Sequence, residues 1–405
     1  YMISKLMLKN TLLFSFILLF SCGNSAKPKV ESQKLKVENI ETKLEFKTGA
    51  DNFELYLPLL KNKKVGIVTN QSGILTTKTH LVDFLLTEKV NIQKIYAPEH
   101  GFRGTADAGE VIKDGKDIKT GLPIISLYGN NKKPKPEQLE GIGIMVFDLQ
   151  DVGARFYTYI SSLHYVMEAC AENNIPLIVL DRPNPNGGIV DGPILEKEFT
   201  SFVGMHQIPV LHGMTIGEYA KMINGEKWLK NEIQCKLTVV PCENYNRTMF
   251  YDLLVKPSPN LPNAQAINLY ASLCFFEGTN VSVGRGTEKQ FQVYGSPFLN
   301  KGDFSFTPQP NEGAKDPTYN GKICYGEDLT QIKPVNKLEL KWLIKAYNET
   351  TDKSKFFNAF FTKLAGTKKL QEQIEKGISE TEIRASWQKG LIDFKEMRKS
   401  YLIYE

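Results

Sequence analysis

Residues 142–188 read IGIMVFDLQDVGARFYTYISSLHYVMEACAENNIPLIVLDRPNPNGG, and this stretch decides the fold. Two short apolar runs, 142–147 and 177–180, lie on either side of the strongly helical segment 157–173. Short apolar runs separated by a helix of this length are typical of parallel strands joined by a helical crossover. The stretch therefore predicts a strand–helix–strand unit.

The same alternation extends toward the N-terminus. Further strand candidates are residues 65–69, 92–97 and 123–127, with helical segments at 79–86 and 136–140. This order predicts an α/β fold, a Rossmann-like parallel sheet with helices on both faces. Because the first strand is followed by NQSG and not by G-x-G-x-x-G, we predict no nucleotide cofactor.

The C-terminal part has a different character. It contains several helical segments, and Ser379 followed three residues later by Glu382 forms a capping box, which marks the start of a helix. We predict a catalytic domain at 48–296 and a smaller C-terminal α+β auxiliary domain at 297–405.

The N-terminus has the features of an export signal. Lys5 and Lys9 precede the apolar run TLLFSFILLF at 11–20, which is too short to span a bilayer. A small residue, Ser21, then precedes Cys22, as in bacterial lipoprotein signals. We predict a signal peptide at 1–21, lipidation of Cys22 and a flexible tether at 22–47. The protein would be an exported, periplasm-facing envelope lipoprotein; plain secretion is the alternative.

Composition excludes several classes of protein. The chain has 405 residues, 50 Lys+Arg against 45 Asp+Glu, and 41% hydrophobic residues, as an ordinary globular protein does. The net charge of +5 is small, and no block of basic residues is present, so we predict no nucleic-acid partner. Five cysteines remain after Cys22, without a C-x-x-C motif, which excludes a zinc ribbon or a disulfide scaffold. Cys235 and Cys242 could still form one bridge.

Polar residues are concentrated where the predicted strands end. Ligands of open parallel sheets bind outside these carboxyl ends, so the sequence predicts a binding or catalytic cleft there. The candidate residues are Glu99, His100, Arg103, Asp148, Asp151, Arg155, Tyr157, Asp181 and Asn184. A glycine-hinged stretch farther along the chain carries Glu277, Asn280 and Arg285, and it is either a connector between domains or a loop that closes over the cleft.

The ordered motifs EHGFRG, SLYG, FDLQDVGARFYTYI, VLDRPNPNGG, PSPNLP and LCFFEGTNVSVGRGT resemble those of the exo-β-N-acetylmuramidases. These NamZ-type peptidoglycan hexosaminidases form glycoside hydrolase family 171, formerly a domain of unknown function. The resemblance runs from about residue 50 to the C-terminus. It implies an enzyme of cell-wall turnover that releases N-acetylmuramic acid from non-reducing ends of peptidoglycan fragments. It also implies a Rossmann-like catalytic domain, and no metal or other cofactor.

Glycoside hydrolysis needs a proton donor and a second group, usually also a carboxylate, that attacks or stabilises the anomeric carbon. We predict Glu99 as the proton donor, with His100 beside it, and Glu110 as the second catalytic carboxylate. The alternative for Glu99 is an ion pair with Arg103, and that for Glu110 is a surface position.

Several further roles follow from the substrate. Asp148 and Asp151 could replace Glu110 or orient Arg155, and Asp181 could orient loop amides. The lactyl carboxylate of N-acetylmuramic acid requires an arginine, for which Arg155 and Arg285 are the candidates and Arg103 is the third.

Two other functions stay open at this point. A metal-dependent hydrolase could use the carboxylates and His100 as ligands, although no H-x-x-x-H or H-E-x-x-H spacing supports it. A non-catalytic sugar-binding lipoprotein could use Tyr157, Phe156 and Tyr159 as platforms. The sequence does not distinguish retention, inversion or attack by the substrate's acetamido group.

Overall fold

The structure, a computed structural model, describes residues 45–102 and 114–405. Seven of the described strands form one sheet in the order β3-β4-β2-β1-β5-β6-β7. These strands are β1 (Val65–Thr69), β2 (Ile92–Ala97), β3 (Gly115–Lys116), β4 (Pro123–Ser126), β5 (Ile144–Asp148), β6 (Leu177–Leu180) and β7 (Leu237–Val240). All neighbours are parallel except β3 and β4, which are antiparallel. The predicted Rossmann-like fold is confirmed, with one antiparallel strand added at its edge.

Helices cover both faces of this sheet. Alternate strand residues face opposite sides: Phe147 belongs to one apolar core, whereas Val146 belongs to the other. The first core includes residues of α4 and α5, and the second includes residues of α1 and α2. The helices of the sheet region are α1 (Phe53–Leu60), α2 (Leu81–Thr87), α3 (Pro136–Leu139), α4 (Tyr159–Glu172) and α5 (Ile216–Gly225).

The C-terminal part combines helices with a small antiparallel sheet, as predicted. Its elements are α6 (Ala264–Leu273), β8 (Val293–Ser296), β9 (Ser305–Phe306), β10 (Cys324–Asp328), α7 (Lys341–Glu349), α8 (Phe361–Ala365), α9 (Lys369–Glu375) and α10 (Glu380–Arg398). The sheet order is β8-β10-β9. The capping box of Ser379 and Glu382 is present at the start of α10. Residues of α6 to α10 also pack into the first core. The predicted boundary between residues 296 and 297 stays a prediction.

The turn after β5 determines how the chain enters α4. Gly153 has a φ of +78°, and a Cβ there would lie 2.3 Å from Asn184 Oδ1. Both the backbone conformation and the close approach therefore require glycine. This turn directs residues 156–159 toward the carboxyl edge of the sheet, where they line a cavity.

The suggested bridge between Cys235 and Cys242 is absent, and both residues are free thiols. The two residues flank β7 and are seven residues apart. An extended strand of that length spans about 23 Å, whereas the two Cα atoms of a disulfide lie within about 7 Å. The position of the strand between them thus prevents the pairing.

Candidate active site

A cavity of about 520 Å³ lies at the carboxyl ends of the strands of the large sheet. Its walls come from distant parts of the chain, namely the segments that follow β2 and β5, the region of α6, residues 281–291 and residues 314–318. Of the predicted residues, the structure brings seven together in this cavity: Glu99, His100, Phe156, Tyr157, Tyr159, Glu277 and Arg285. Two carboxylates from separate segments thus share one space.

Glu99 is placed by the turn that ends β2. Its side chain is half-buried, and its Oε2 accepts a 2.9 Å hydrogen bond from Thr158 Oγ1. Thr158 directly precedes α4, so the helix start fixes the donor. His100 is buried and has a φ of +71°, which costs a non-glycine residue about 1 kcal/mol or more. Such strain is common at functional sites.

Glu277 and Arg285, which also line the cavity, form an ion pair. Arg285 Nε donates to Glu277 Oε1 at 2.7 Å, and the two side chains are about a quarter exposed. The guanidinium also lies over the Phe291 ring, 5.2 Å from its centroid. Arg285 Nη1 is buried and has no hydrogen-bond partner among the residues that the structure describes. A buried donor of this kind is available to a ligand.

Aromatic side chains complete the cavity. Tyr157 Oη donates to the carbonyl of Pro257 at 2.8 Å, which fixes its ring, and Tyr270 packs edge-on against it at 5.8 Å. Burial raises the pKa of both tyrosines well above the ordinary value, so both hydroxyls stay protonated. Phe156 and Phe276 also line the space. Rigid rings with fixed hydroxyls are suited to packing against a sugar.

The structure places Asp148 and Asp151 outside this cavity. Asp148 is fully buried and accepts two hydrogen bonds from Arg182, at 2.6 and 2.9 Å. Asp151 accepts a 2.7 Å bond from the amide of Gly153, and burial raises its pKa to about 7. Both carboxylates stabilise the loops below the site, and they do not contact the space where a substrate would lie.

Asp181 and Asn184 have similar framework positions. Asp181 accepts hydrogen bonds from Thr215 Oγ1, the amide of Gly217 and Tyr404 Oη, and burial raises its pKa to about 6. Asn184 donates to the carbonyl of Met214 at 2.9 Å. Neither residue lines the cavity.

Arg155 and Asn280 also lie away from the cavity lining. The Arg155 side chain is fully buried, and its two terminal nitrogens donate to four backbone carbonyls. Because these bonds occupy the terminal nitrogens, we withdraw Arg155 as the lactyl ligand. Asn280 makes a weak 3.4 Å bond to Thr350 Oγ1. The predicted Cys22, Arg103 and Glu110 lie outside the described residues.

Other lining residues were not singled out in the sequence. Tyr128 follows β4, so the strand-end rule that identified Glu99 could have found it. Thr158 could not be predicted from the sequence, because its role depends on its contact with Glu99. Cys274 and the exposed Asp316 have no local pattern that connects them with the sheet edge. Their place in the cavity arises only from the packing of the C-terminal part.

Within residues 45–102 and 114–405, no group of three or more His, Cys, Asp or Glu side chains is arranged to hold a metal ion. Within the same ranges, no helix combines the length and apolar character needed to cross a membrane.

The cavity of this Rossmann-like domain combines carboxylates, an arginine and aromatic rings, which are the groups that hydrolases of saccharides use. Comparison with known proteins specifies the family. Residues 65–265 match the N-terminal family model of the exo-β-N-acetylmuramidase NamZ, and residues 268–404 match its C-terminal model. The chain belongs to the exo-β-N-acetylmuramidase NamZ family.

Similar proteins support this assignment. The chain is 39% identical to the peptidoglycan β-N-acetylmuramidase NamZ of Bacillus subtilis, over 94% of this chain and 95% of that protein. Two crystal structures of DUF1343 family proteins from Bacteroides fragilis also match. The first has a TM-score of 0.82 and 43% identity, and the second has a TM-score of 0.75 and 30% identity. Each alignment covers 89% of this chain and 99% of the other.

Proposed function

We propose that the cavity hydrolyses the glycosidic bond of a terminal N-acetylmuramic acid residue and releases that sugar from peptidoglycan fragments. As a member of this family, the protein is a glycosidase. The observation that supports the site is the presence of Glu99 and the Glu277–Arg285 pair in one cavity of about 520 Å³. A space of this size holds a small ligand, which suits removal of one sugar at a time.

Glu99 is the proton donor in this proposal. It gives its proton to the glycosidic oxygen while the bond between that oxygen and the anomeric carbon breaks. The electron pair of the bond goes to the departing oxygen. Water then supplies the hydroxyl group of the anomeric carbon, and a carboxylate takes up the proton that the water loses.

Arg285 recognises the acidic group of the substrate. N-acetylmuramic acid differs from N-acetylglucosamine by a lactyl ether that carries a carboxylate. Glu277 occupies Arg285 Nε, whereas Nη1 has no partner in the described part of the chain. A charge-assisted hydrogen bond from this nitrogen to the lactyl carboxylate contributes about 1.5–3 kcal/mol, or roughly 10- to 100-fold in discrimination.

Paired aryl glycosides of N-acetylmuramic acid and N-acetylglucosamine test this role. The unaltered protein should prefer the muramic acid glycoside, and Arg285→Ala should reduce the ratio of the two kcat/KM values by about 10-fold or more. Lys289→Ala is the control, because it removes an exposed positive charge that pairs with Asp328 outside the cavity. An unchanged ratio in Arg285→Ala would contradict the proposal.

We also propose that the protein is an envelope lipoprotein anchored by a lipid on Cys22. The signal-like segment before this cysteine supports the proposal, and an envelope location gives access to peptidoglycan. In the native host, Cys22→Ser should abolish incorporation of labelled fatty acid and move the protein out of the membrane fraction. Continued labelling of the variant would contradict the proposal.

A further inference from the structure

We propose that Glu277 is the second catalytic carboxylate, which stabilises the positive charge at the anomeric carbon while Glu99 protonates the departing oxygen. This assignment rests on the proposed function and extends it. The sequence had indicated Glu110 for this role and only a binding role for Glu277. Three features of the structure support the new assignment.

Both carboxylate oxygens of Glu277 are held by donors. Oε1 accepts the 2.7 Å bond from Arg285 Nε, and Oε2 accepts a 3.5 Å bond from Cys274 Sγ. Burial raises the pKa of Cys274 well above its ordinary value, so this residue stays a thiol and can donate. A carboxylate that accepts from a guanidinium and a thiol is a fixed negative charge, as stabilisation of a cationic transition state requires.

The backbone around Glu277 is also fixed. Glu277 lies in a 3₁₀ segment, Cys274–Gly278, that directly follows α6. A Cβ at Gly278 would lie 2.4 Å from the Cα of Phe361, and the Gly278 carbonyl accepts a 2.9 Å bond from the amide of Asn358. Close packing against the start of α8 thus holds the carboxylate in place, and a preorganised charge needs no rearrangement during the reaction.

The position of Glu277 beside Arg285 suits the chemistry of the substrate. The lactyl ether is on C3 of the sugar, next to the C2 acetamido group and one carbon farther from C1. If Arg285 holds the lactyl carboxylate, then Glu277 is close to C1, because Glu277 is hydrogen-bonded to the same guanidinium and C1 belongs to the same sugar ring. Glu99 lines the same cavity from the other half of the chain. A sugar bound in this cavity is thus exposed to both carboxylates.

Leaving-group dependence distinguishes the two roles. The purified full chain in detergent would be assayed with phenyl and 2,4-dinitrophenyl glycosides of N-acetylmuramic acid. Dinitrophenolate leaves without protonation, so Glu99→Gln should lose about 10² or more in kcat on the phenyl glycoside and little on the other. Glu277→Gln should lose about 10²–10³ on both glycosides, because the charge at the anomeric carbon develops in each reaction. Glu288→Gln is the matched control, an exposed glutamate outside the cavity.

Two results would overturn the assignment: activity of Glu277→Gln within about threefold of the unaltered chain, or a loss confined to the phenyl glycoside. If Glu277→Gln does not fold, the pair Cys274→Ala and Cys274→Ser decides. Cys274→Ala removes the thiol donor and should lower kcat several-fold on both glycosides. In Cys274→Ser, the hydroxyl replaces this donor and should restore kcat. Equal kcat values in the two variants would contradict the assignment. No turnover by the unaltered chain would overturn the proposed function itself, and with it this role.

Discussion

The contrast between Arg155 and Arg285 shows that partners decide the role of a charged residue. Both were candidates for the same substrate carboxylate. Both terminal nitrogens of Arg155 donate to carbonyls, and its side chain does not line the cavity. Arg285 lines the cavity, and its terminal Nη1 has no partner in the described chain. Sequence reasoning could propose both arginines but could not separate them, because the separating contacts come from residues up to 210 positions away.

Replacement of Arg155 should destabilise the fold. Burial already lowers its pKa to about 9, and Arg155→Met would remove a donor from four buried carbonyls, of which only that of Ile208 keeps a second donor in the described part of the chain, the amide of Leu195. We expect a loss of at least about 3 kcal/mol in the free energy of unfolding, measured by urea denaturation. Lys369→Met removes an exposed charge that pairs with Glu196, and it should cost less than about 1 kcal/mol. Equal losses in the two variants would contradict the structural role.

Asp151 predicts a pH dependence of stability. Burial raises its pKa from 3.8 to about 7, so between these values the native state binds a proton that the unfolded chain does not. Its contribution to stability is present at low pH and is lost as the pH rises through 7. Asp151→Asn should therefore stabilise the protein more at pH 8 than at pH 5, by roughly 2 kcal/mol. Burial lowers the pKa of the neighbouring His212, and this shift makes stability rise with pH. Because His212 is present in both the unaltered protein and Asp151→Asn, the comparison between them reports on Asp151. A pH-independent difference would refute the prediction.

Thr158 is predicted to position Glu99. Thr158→Val removes the hydroxyl that donates to Glu99 Oε2 and keeps the shape of the side chain. We expect kcat to fall about 3- to 10-fold with little change in KM, and Thr158→Ser to stay close to the unaltered protein. Steady-state kinetics on an aryl muramic acid glycoside would measure both. Identical kcat values for the valine and serine variants would show that this bond has no role.

Among the elements, β1, β2 and β6 have the predicted bounds. Short runs of mainly apolar residues mark β1 and β6 as buried parallel strands, whereas β2 is interrupted by the half-buried Gln93 and Lys94. The fourth predicted strand, 142–147, lies instead at Ile144–Asp148, since Asp148 pairs with Thr69 and is buried by its contact with Arg182. The two-residue β3 carries no periodicity and was not predicted. Its pairing with β4 determines it, and the sequence pattern does not report such pairing.

The C-terminal segment 402–405 stabilises the sheet region. Tyr404 Oη donates to the buried Asp181, and the amides of Ile403 and Tyr404 donate to the buried Glu218. Deletion of these four residues should cost at least about 3 kcal/mol, because two buried carboxylates lose donors. Tyr404→Phe alone should lower the free energy of unfolding by about 1–3 kcal/mol. Tyr401→Phe should lower it less, because the Tyr401 hydroxyl contacts the half-buried Glu226. Thermal unfolding would rank the three variants, and a different order would contradict this account.

For the whole molecule, the sequence predicted the Rossmann-like domain, the α+β C-terminal part and the family. It also identified seven of the residues that share the cavity, because strand ends and glycine-hinged loops mark ligand sites. It could not predict that Asp148 and Asn184 stabilise the framework, since strand-end position alone does not reveal hydrogen-bond partners. For Asp181 it had suggested that the carboxylate orients loop amides, and the amide of Gly217 does donate to it. The pairing of Glu277 with Arg285 across eight residues is likewise a property of the folded chain.

The most direct test of the central proposal is release of N-acetylmuramic acid from a disaccharide that carries it at the non-reducing end. The unaltered protein should release the sugar, and Glu99→Gln should release it about 10² or more times more slowly. The unfolding temperature of the variant should equal that of the unaltered protein. Retention of full activity by Glu99→Gln would contradict the account, because the cavity would then lack its proposed proton donor.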